Sequence, residues 1–213
     1  AQGADRLVRK GMVVVASIGN SGANGLYAAG APGVGRRVIG VASFDNIGDT
    51  LPYFTVSPDA TKAGYNAATG APAPPTSGTF PMARTGTQTS TADACAALPA
   101  GSLAGTVALV RRGTCSFYVK ASNAYAAGAV AVVLYNNVAG RRNPTVAGIP
   151  AITIPVVAVS KAEGELIDNR LAAGGVDLTW TALLDKFPNT LTGGLISSFS
   201  SYGLAPDLSL KPD

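Results

Sequence analysis

Histidine is absent from this sequence, and cysteine occurs only twice, at Cys95 and Cys115. A structural zinc site built from four Cys and His ligands is therefore excluded. Cys95 and Cys115 either pair or stay apart as buried thiols, and the residues alone leave that open. Charge is also scarce: 13% of the 213 residues are charged, with 16 basic and 12 acidic side chains giving a net +4. The basic pairs Arg36-Arg37, Arg111-Arg112 and Arg141-Arg142 each stand alone. With no long basic run and no interleaved aromatics, nucleic acid is not an expected partner. No apolar run approaches the ~18 residues of a membrane span, so no membrane partner is expected either. No Asn-x-Ser/Thr acceptor occurs, because Asn143 is followed by Pro144, and no N-glycan is expected. The sequence opens on Ala1 with no charged-then-apolar leader, which reads as an excised or processed piece.

Against these absences stands a 47% hydrophobic content, ample for a core and inconsistent with disorder. Three textures follow along the chain. From Ala1 to Asn46 the order is helix (ADRLVRKG, with Gly11 as its stop), strand (MVVVAS), glycine-rich loop and strand (RVIGVASF). Both apolar runs suit parallel strands buried on two faces. The middle segment, 47–186, opens on ATGAPAPPTSGTFP, which cannot hold a helix and reads as an extended surface excursion. GTVALVRRG, SFYVKASNAYAAG and AVAVVLYNN then spell a strand–helix–strand unit, with Phe117, Ala121, Ala124 and Gly128 marking the inner stripe of the helix. TIPVVAVS is a further strand. Ser160 and Glu163 form a capping box that opens the helix KAEGELIDNRLAAGG, and the half-buried strand VDLTWTALL follows. The last segment, GGLISSFSSYG with LAPDLSLKPD, is too short for a domain and resumes the texture of the first. The fold class is α/β, with a discontinuous outer domain, 1–46 and 187–213, interrupted by 47–186.

GNSGANGLYAAGAPGVG invites a phosphate-binding reading that fails in detail. Gly35 is followed by two arginines rather than Lys-Ser/Thr, and Gly33-Val34-Gly35 leads into a strand. On spacing alone Asn20 reads first as a turn asparagine and second as a neutral amide donor at a strand end, placed to stabilise an oxyanion. The glycines around it would let a peptide approach closely.

Ala16-Ser-Ile-Gly-Asn-Ser-Gly22, Ala31-Pro32, the strand Val38–Ser43, Phe199-Ser-Ser-Tyr-Gly203 and Leu210-Lys-Pro-Asp213 occur in order. Together they resemble the subtilisin-like serine proteases. The middle segment resembles a protease-associated (PA) domain, a β-rich α+β module inserted into many secreted subtilases. Its carriers are Cys95-Ala-Ala-Leu-Pro99, the run Leu103–Phe117, Lys120, Asn123-Ala124, Ala127-Gly-Ala129 and Tyr135-Asn-Asn137. These resemblances imply part of a subtilase parallel-sheet domain enclosing a PA insert, in a secreted serine endopeptidase. They imply Asn20 as oxyanion-hole donor, Ser17, Ile18 and Gly19 as walls of the substrate pocket, and a Cys95–Cys115 disulfide.

The catalytic Asp, His and Ser are implied to lie outside these residues, so the piece is expected to be inactive alone. Its partners would be protein or peptide substrates and the remainder of the same protease. No cofactor and no metal ligand is expected here; calcium in the full-length enzyme cannot be read from this stretch. The insert is expected to gate or position protein substrates. The alternative, a stand-alone PA binding module, is disfavoured by the blocks flanking it.

Overall fold

The computed structural model describes residues 1–205 and 207–213; Pro206, within the LAPDLSLKPD stretch, lies outside the described residues. The described chain forms two compact units, Ala1–Gly48 with Pro188–Asp213, and Asp49–Phe187. In the first, helix α1 (Gln2–Arg9) precedes strands β1 (Val15–Ser17) and β2 (Ile39–Val41). The two strands pair in parallel, Val15 opposite Ile39 and Ser17 opposite Val41. Asp5 fixes α1 to the far side of the loop by accepting from the Arg37 N–H at 2.8 Å.

Burial on both faces, expected for these two runs, is not found. Val15 is 59% exposed, and Ile39 and Val41 are nearly half exposed. Each strand is three residues long in a sheet of two, so only one side of each has neighbours. On that side Ile18 and Val38 are buried almost completely.

The second unit contains β3 (Gly48–Val56), β4 (Thr61–Gly64), β5 (Asn66–Ala67), β6 (Thr79–Arg84) and β7 (Val107–Arg111). Then come α2 (Phe117–Ala126), β8 (Ala131–Tyr135), β9 (Val156–Val159), α3 (Lys161–Ala173) and β10 (Asp177–Pro188). A single mixed sheet of eight strands runs β4-β3-β10-β6-β7-β8-β9-β5. The centre, β6 to β9, is parallel, while β10 joins β6 antiparallel. Back in the first unit, β11 (Gly203–Leu204) and β12 (Leu210–Lys211) form a short antiparallel pair.

The central strands are apolar throughout because both faces are covered. Alternation sends Val107, Leu109, Val133, Tyr135, Val157 and Val159 into one core with Phe54, Trp180 and Ile167 of α3. Ala108, Val110, Val132, Leu134, Val156 and Ala158 enter the other, against Ala121 and Ala124 of α2. Burying each Val or Leu there stabilises the fold by about 1.5–3 kcal/mol.

Helix α2 starts where Ser116 accepts from the Val119 N–H, and it gives way to Gly128, whose φ is +98°. Its inner face is Ala121 and Ala124 plus the buried Lys120 rather than Gly128, which is exposed. Helix α3 starts on the expected capping box, with both reciprocal bonds between Ser160 and Glu163 present. Gly164 lets α3 lie close on β8, since a Cβ there would fall 2.1 Å from the Cβ of Tyr135. Strand β10 buries Leu178 and Trp180 and runs beyond Leu184 to Pro188. The excursion after β5 is irregular until β6 begins at Thr79.

Candidate functional site

In the first unit, β1 ends at Ser17 and the chain turns through Ile18, Gly19 and Asn20. The Ile18 N–H donates to the Val41 carbonyl at 3.0 Å, and its own carbonyl accepts from Gly30 at 2.8 Å. Its side chain is fully buried, so Ile18 borders the loop through its backbone alone. The next residues are held by a segment some 180 positions further along the chain. Ser201 N–H donates to the Gly19 carbonyl at 2.8 Å, and Gly22 N–H donates to the Phe199 carbonyl at 3.0 Å. The Ser21 N–H donates to Ser201 Oγ at 2.9 Å.

This contact explains the glycines around Asn20. Gly19 has φ +115°, and a Cβ there would sit 2.9 Å from Ser201 Oγ; a Cβ on Gly22 would lie 2.5 Å from the Ser200 carbonyl. The glycines therefore admit the chain's own 198–201 segment. An open cleft of about 410 Å³ results, with Ser17, Gly19 and Asn20 along one side and Ser43, Phe199 and Ser200 along another.

Asn20 is exposed, and no hydrogen bond engages its side-chain amide among the described residues. The structure thus brings Ser17, Gly19 and Asn20 to one cleft and leaves the Ile18 side chain out of it. The serines around them are structural. Ser17 Oγ accepts from Gly19 N–H at 3.2 Å, Ser200 Oγ accepts from Ser43 N–H at 3.0 Å, and Ser197 Oγ donates to Asp45 at 2.6 Å. The Ser197 hydroxyl, then Thr192, lowers the Asp45 pKa. What the cleft offers chemically is an unengaged neutral amide at its edge, and among the described residues no histidine or other base stands next to a hydroxyl there.

The LKPD stretch clips onto β2 beside this site. Buried Lys211 donates to the Val38 carbonyl at 2.8 Å and pairs with Asp213 at 2.5 Å. Asp213 also accepts from the Gly40 N–H at 2.7 Å. Lys211 and then the Gly40 amide hold the Asp213 carboxyl below the usual carboxylate range. Because the folded pKa is the lower one, this stabilisation is complete above the unfolded value of about 3.9 and is lost as pH falls through the folded value. Asp213→Asn should therefore lower stability at neutral pH and flatten the acid limb of an unfolding-versus-pH curve. An unchanged acid limb would show that the clip contributes nothing.

The second unit carries polar clusters that sequence reasoning missed. Arg141 makes a two-pronged pair with Glu163, both bonds 2.7 Å long, while Glu163 also accepts from the Gly64 and Ser160 N–H groups. Only the helix cap among these was signalled locally. Lys120 is fully buried and donates to the Asp93 carbonyl; its place on the inner face of α2 was the available signal. Cys95 and Cys115 are joined by a disulfide. Among the described residues no group of three or more His, Cys, Asp or Glu side chains is placed to hold a metal ion. No helix among them is long and apolar enough to cross a membrane.

Comparison with known proteins adds the following. A family profile described as the PA domain matches residues 56–167. No curated protein gives a significant match. Among solved structures, BSAP, a zinc aminopeptidase from Bacillus subtilis, is 27% identical with a TM-score of 0.46, over 70% of this chain and 34% of its own. An aminopeptidase from Aneurinibacillus sp. strain AM-1 is 28% identical with a TM-score of 0.46, over 66% of this chain and 35% of its own. The subtilisin-like protease Apa1 from the Antarctic psychrotroph Pseudoalteromonas sp. AS-11 is 16% identical with a TM-score of 0.50, over 92% of this chain and 52% of its own. The chain thus spans about a third of each aminopeptidase and about half of the subtilisin-like protease. At 16% identity the last of these is a likeness of fold alone.

Proposed function

The chain belongs to the PA domain family, and from that footing we propose that it is a portion of a secreted subtilisin-like serine endopeptidase. On this reading the unit 1–48 with 188–213 is part of the catalytic domain, and 49–187 is its PA insert. The remainder of the same protease supplies the Asp, His and Ser. The Asn20 amide donates to the oxyanion that develops when a peptide carbonyl is attacked, the step at which fixed donors matter most. Ser17 and Gly19 line the substrate cleft, and Ile18 holds their backbone from the core. The PA unit, with no convergent acid, base or metal ligands, positions protein substrates and does no chemistry itself. No cofactor enters the reading.

The observation that supports it most is the binding of the Gly19–Gly22 loop by Phe199–Ser201, which leaves Asn20 at the edge of an open cleft with its amide unbonded among the described residues. A protein built only to bind through its PA unit has no use for that arrangement.

The test is inhibition of the complete protein acting on an internal peptide bond. A serine-directed phosphonofluoridate should abolish turnover, and a zinc-selective chelator should leave it intact. Loss with the chelator and indifference to the phosphonofluoridate would replace the reading with a metallopeptidase. Cargo binding with no hydrolysis at all would replace it with a stand-alone PA binder.

A further inference from the structure

The disulfide of the second unit joins the irregular segment between β6 and β7, at Cys95, to the turn ahead of α2, at Cys115. Both residues are partly exposed rather than buried in the core. The polar surroundings of the two sulfurs are unequal. Lys120, in the first turn of α2, is fully buried; its ammonium donates to the Asp93 carbonyl and lies 3.6 Å from Cys95 Sγ. Thr114 Oγ1 is 3.8 Å from the same sulfur. Among the described residues no hydrogen bond reaches Cys115 Sγ.

Lys120 makes no ion pair among those residues. The nearby Asp93 carboxylate is engaged elsewhere, accepting from Thr85 Oγ1 and from the Arg111 N–H, each at 2.7 Å. Burial lowers the Lys120 pKa, Asp93 raises it and Arg111 lowers it. A buried ammonium without a dedicated carboxylate stands ready to receive an anion, and the atom facing it is one specific sulfur.

We infer that this disulfide is a directional thiol-exchange site: a small thiol of the glutathione class attacks Cys115 Sγ, and Cys95 Sγ leaves as a thiolate held by Lys120. In the first step the incoming thiolate forms a bond to Cys115 Sγ, the Cys115–Cys95 bond breaks, and its electron pair stays on Cys95. Cys115 then carries the thiol as a mixed disulfide. A second thiol molecule attacks the bound one, releases Cys115 as a thiolate and forms the oxidised small disulfide, so two thiols are oxidised and one protein disulfide is reduced. The direction follows from the leaving group, since the sulfur whose thiolate is better stabilised departs faster.

A short pulse of thiol on the full chain, quenched in acid and mapped by mass spectrometry after alkylation, reads the regiochemistry. Adducts on Cys115 should exceed those on Cys95 about tenfold, the scale implied by a thiol pKa lowered beside a lysine. The preference should be the same for mercaptoethanol and for bulkier glutathione. Equal labelling, or an excess on Cys95, overturns the inference. So does a preference seen with glutathione and lost with mercaptoethanol, which would be steric. In Lys120→Met the preference should fall to near parity, and its retention in the folded variant would also overturn the inference. Should that variant fail to fold, the two-thiol comparison decides.

Discussion

Glu163→Ala is expected to destabilise the chain by about 3 kcal/mol, the lower end for breaking a largely buried ion pair by removing one partner. Four groups lose their acceptor together: the Arg141 guanidinium, the Gly64 N–H, and the Ser160 N–H and hydroxyl. The side chains of Arg141 and Glu163 are only 14% and 16% exposed, so water replaces little of what is lost. The Ser160 side chain still accepts from the backbone N–H of residue 163, so only the reciprocal half of the capping box is lost. Glu163→Gln keeps one acceptor oxygen and the helix start while losing the charge, so it should fall between wild type and alanine. Denaturant unfolding measures both. A loss under about 1 kcal/mol for the alanine variant would place this pair among ordinary surface salt bridges.

Asn20→Ala is expected to act on turnover and leave stability alone. In the complete enzyme, kcat on a peptide amide should fall by about 10²–10³, a magnitude borrowed from an oxyanion donor of a subtilisin itself. KM should change little, because the donor is proposed to act on charge that develops only in the transition state. Asn20 is exposed and its side chain is unbonded among the described residues, so the unfolding free energy should change by less than about 0.5 kcal/mol. Full turnover in the variant would remove Asn20 from the proposed mechanism. A large loss of stability would instead make it a structural turn residue.

How far the sequence could be read depended on the range of the interaction. The strand–helix–strand unit, Gly128 and the Ser160–Glu163 box were legible because each rests on residues within one turn or one strand. Arg141 and Gly64, which Glu163 also binds, lie far away in the chain and carry no local mark. Strands β3 and β6 escaped notice because Pro52 and Pro81 interrupt their patterns, as proline normally does in a strand. The apolar runs Met12–Ser17 and Val38–Ser43 looked doubly buried, yet burial depends on how many neighbours a sheet has, which composition does not record. At the candidate cleft the local signal was legible and its long-range part was not. The glycines flanking Asn20 were visible, whereas the Ser201 hydroxyl that crowds Gly19 and the Ser198–Ser200 backbone that crowds Gly22 were not.

The positions where the chain leaves and rejoins the outer unit have a bearing on the order of assembly. Strands β3 and β10 are neighbours in the sheet, and just outside them Asn189 donates to the Ile47 carbonyl at 2.9 Å. Joining residues 47 and 189 while everything between is unfolded would carry an entropic penalty of about 4 kcal/mol for a flexible loop of that length. Once the intervening body has formed, its own sheet holds those ends together and most of that penalty is gone. During synthesis, then, the insert can mature once β10 has emerged, and the 198–201 segment has only a short search left to reach the Gly19–Gly22 loop.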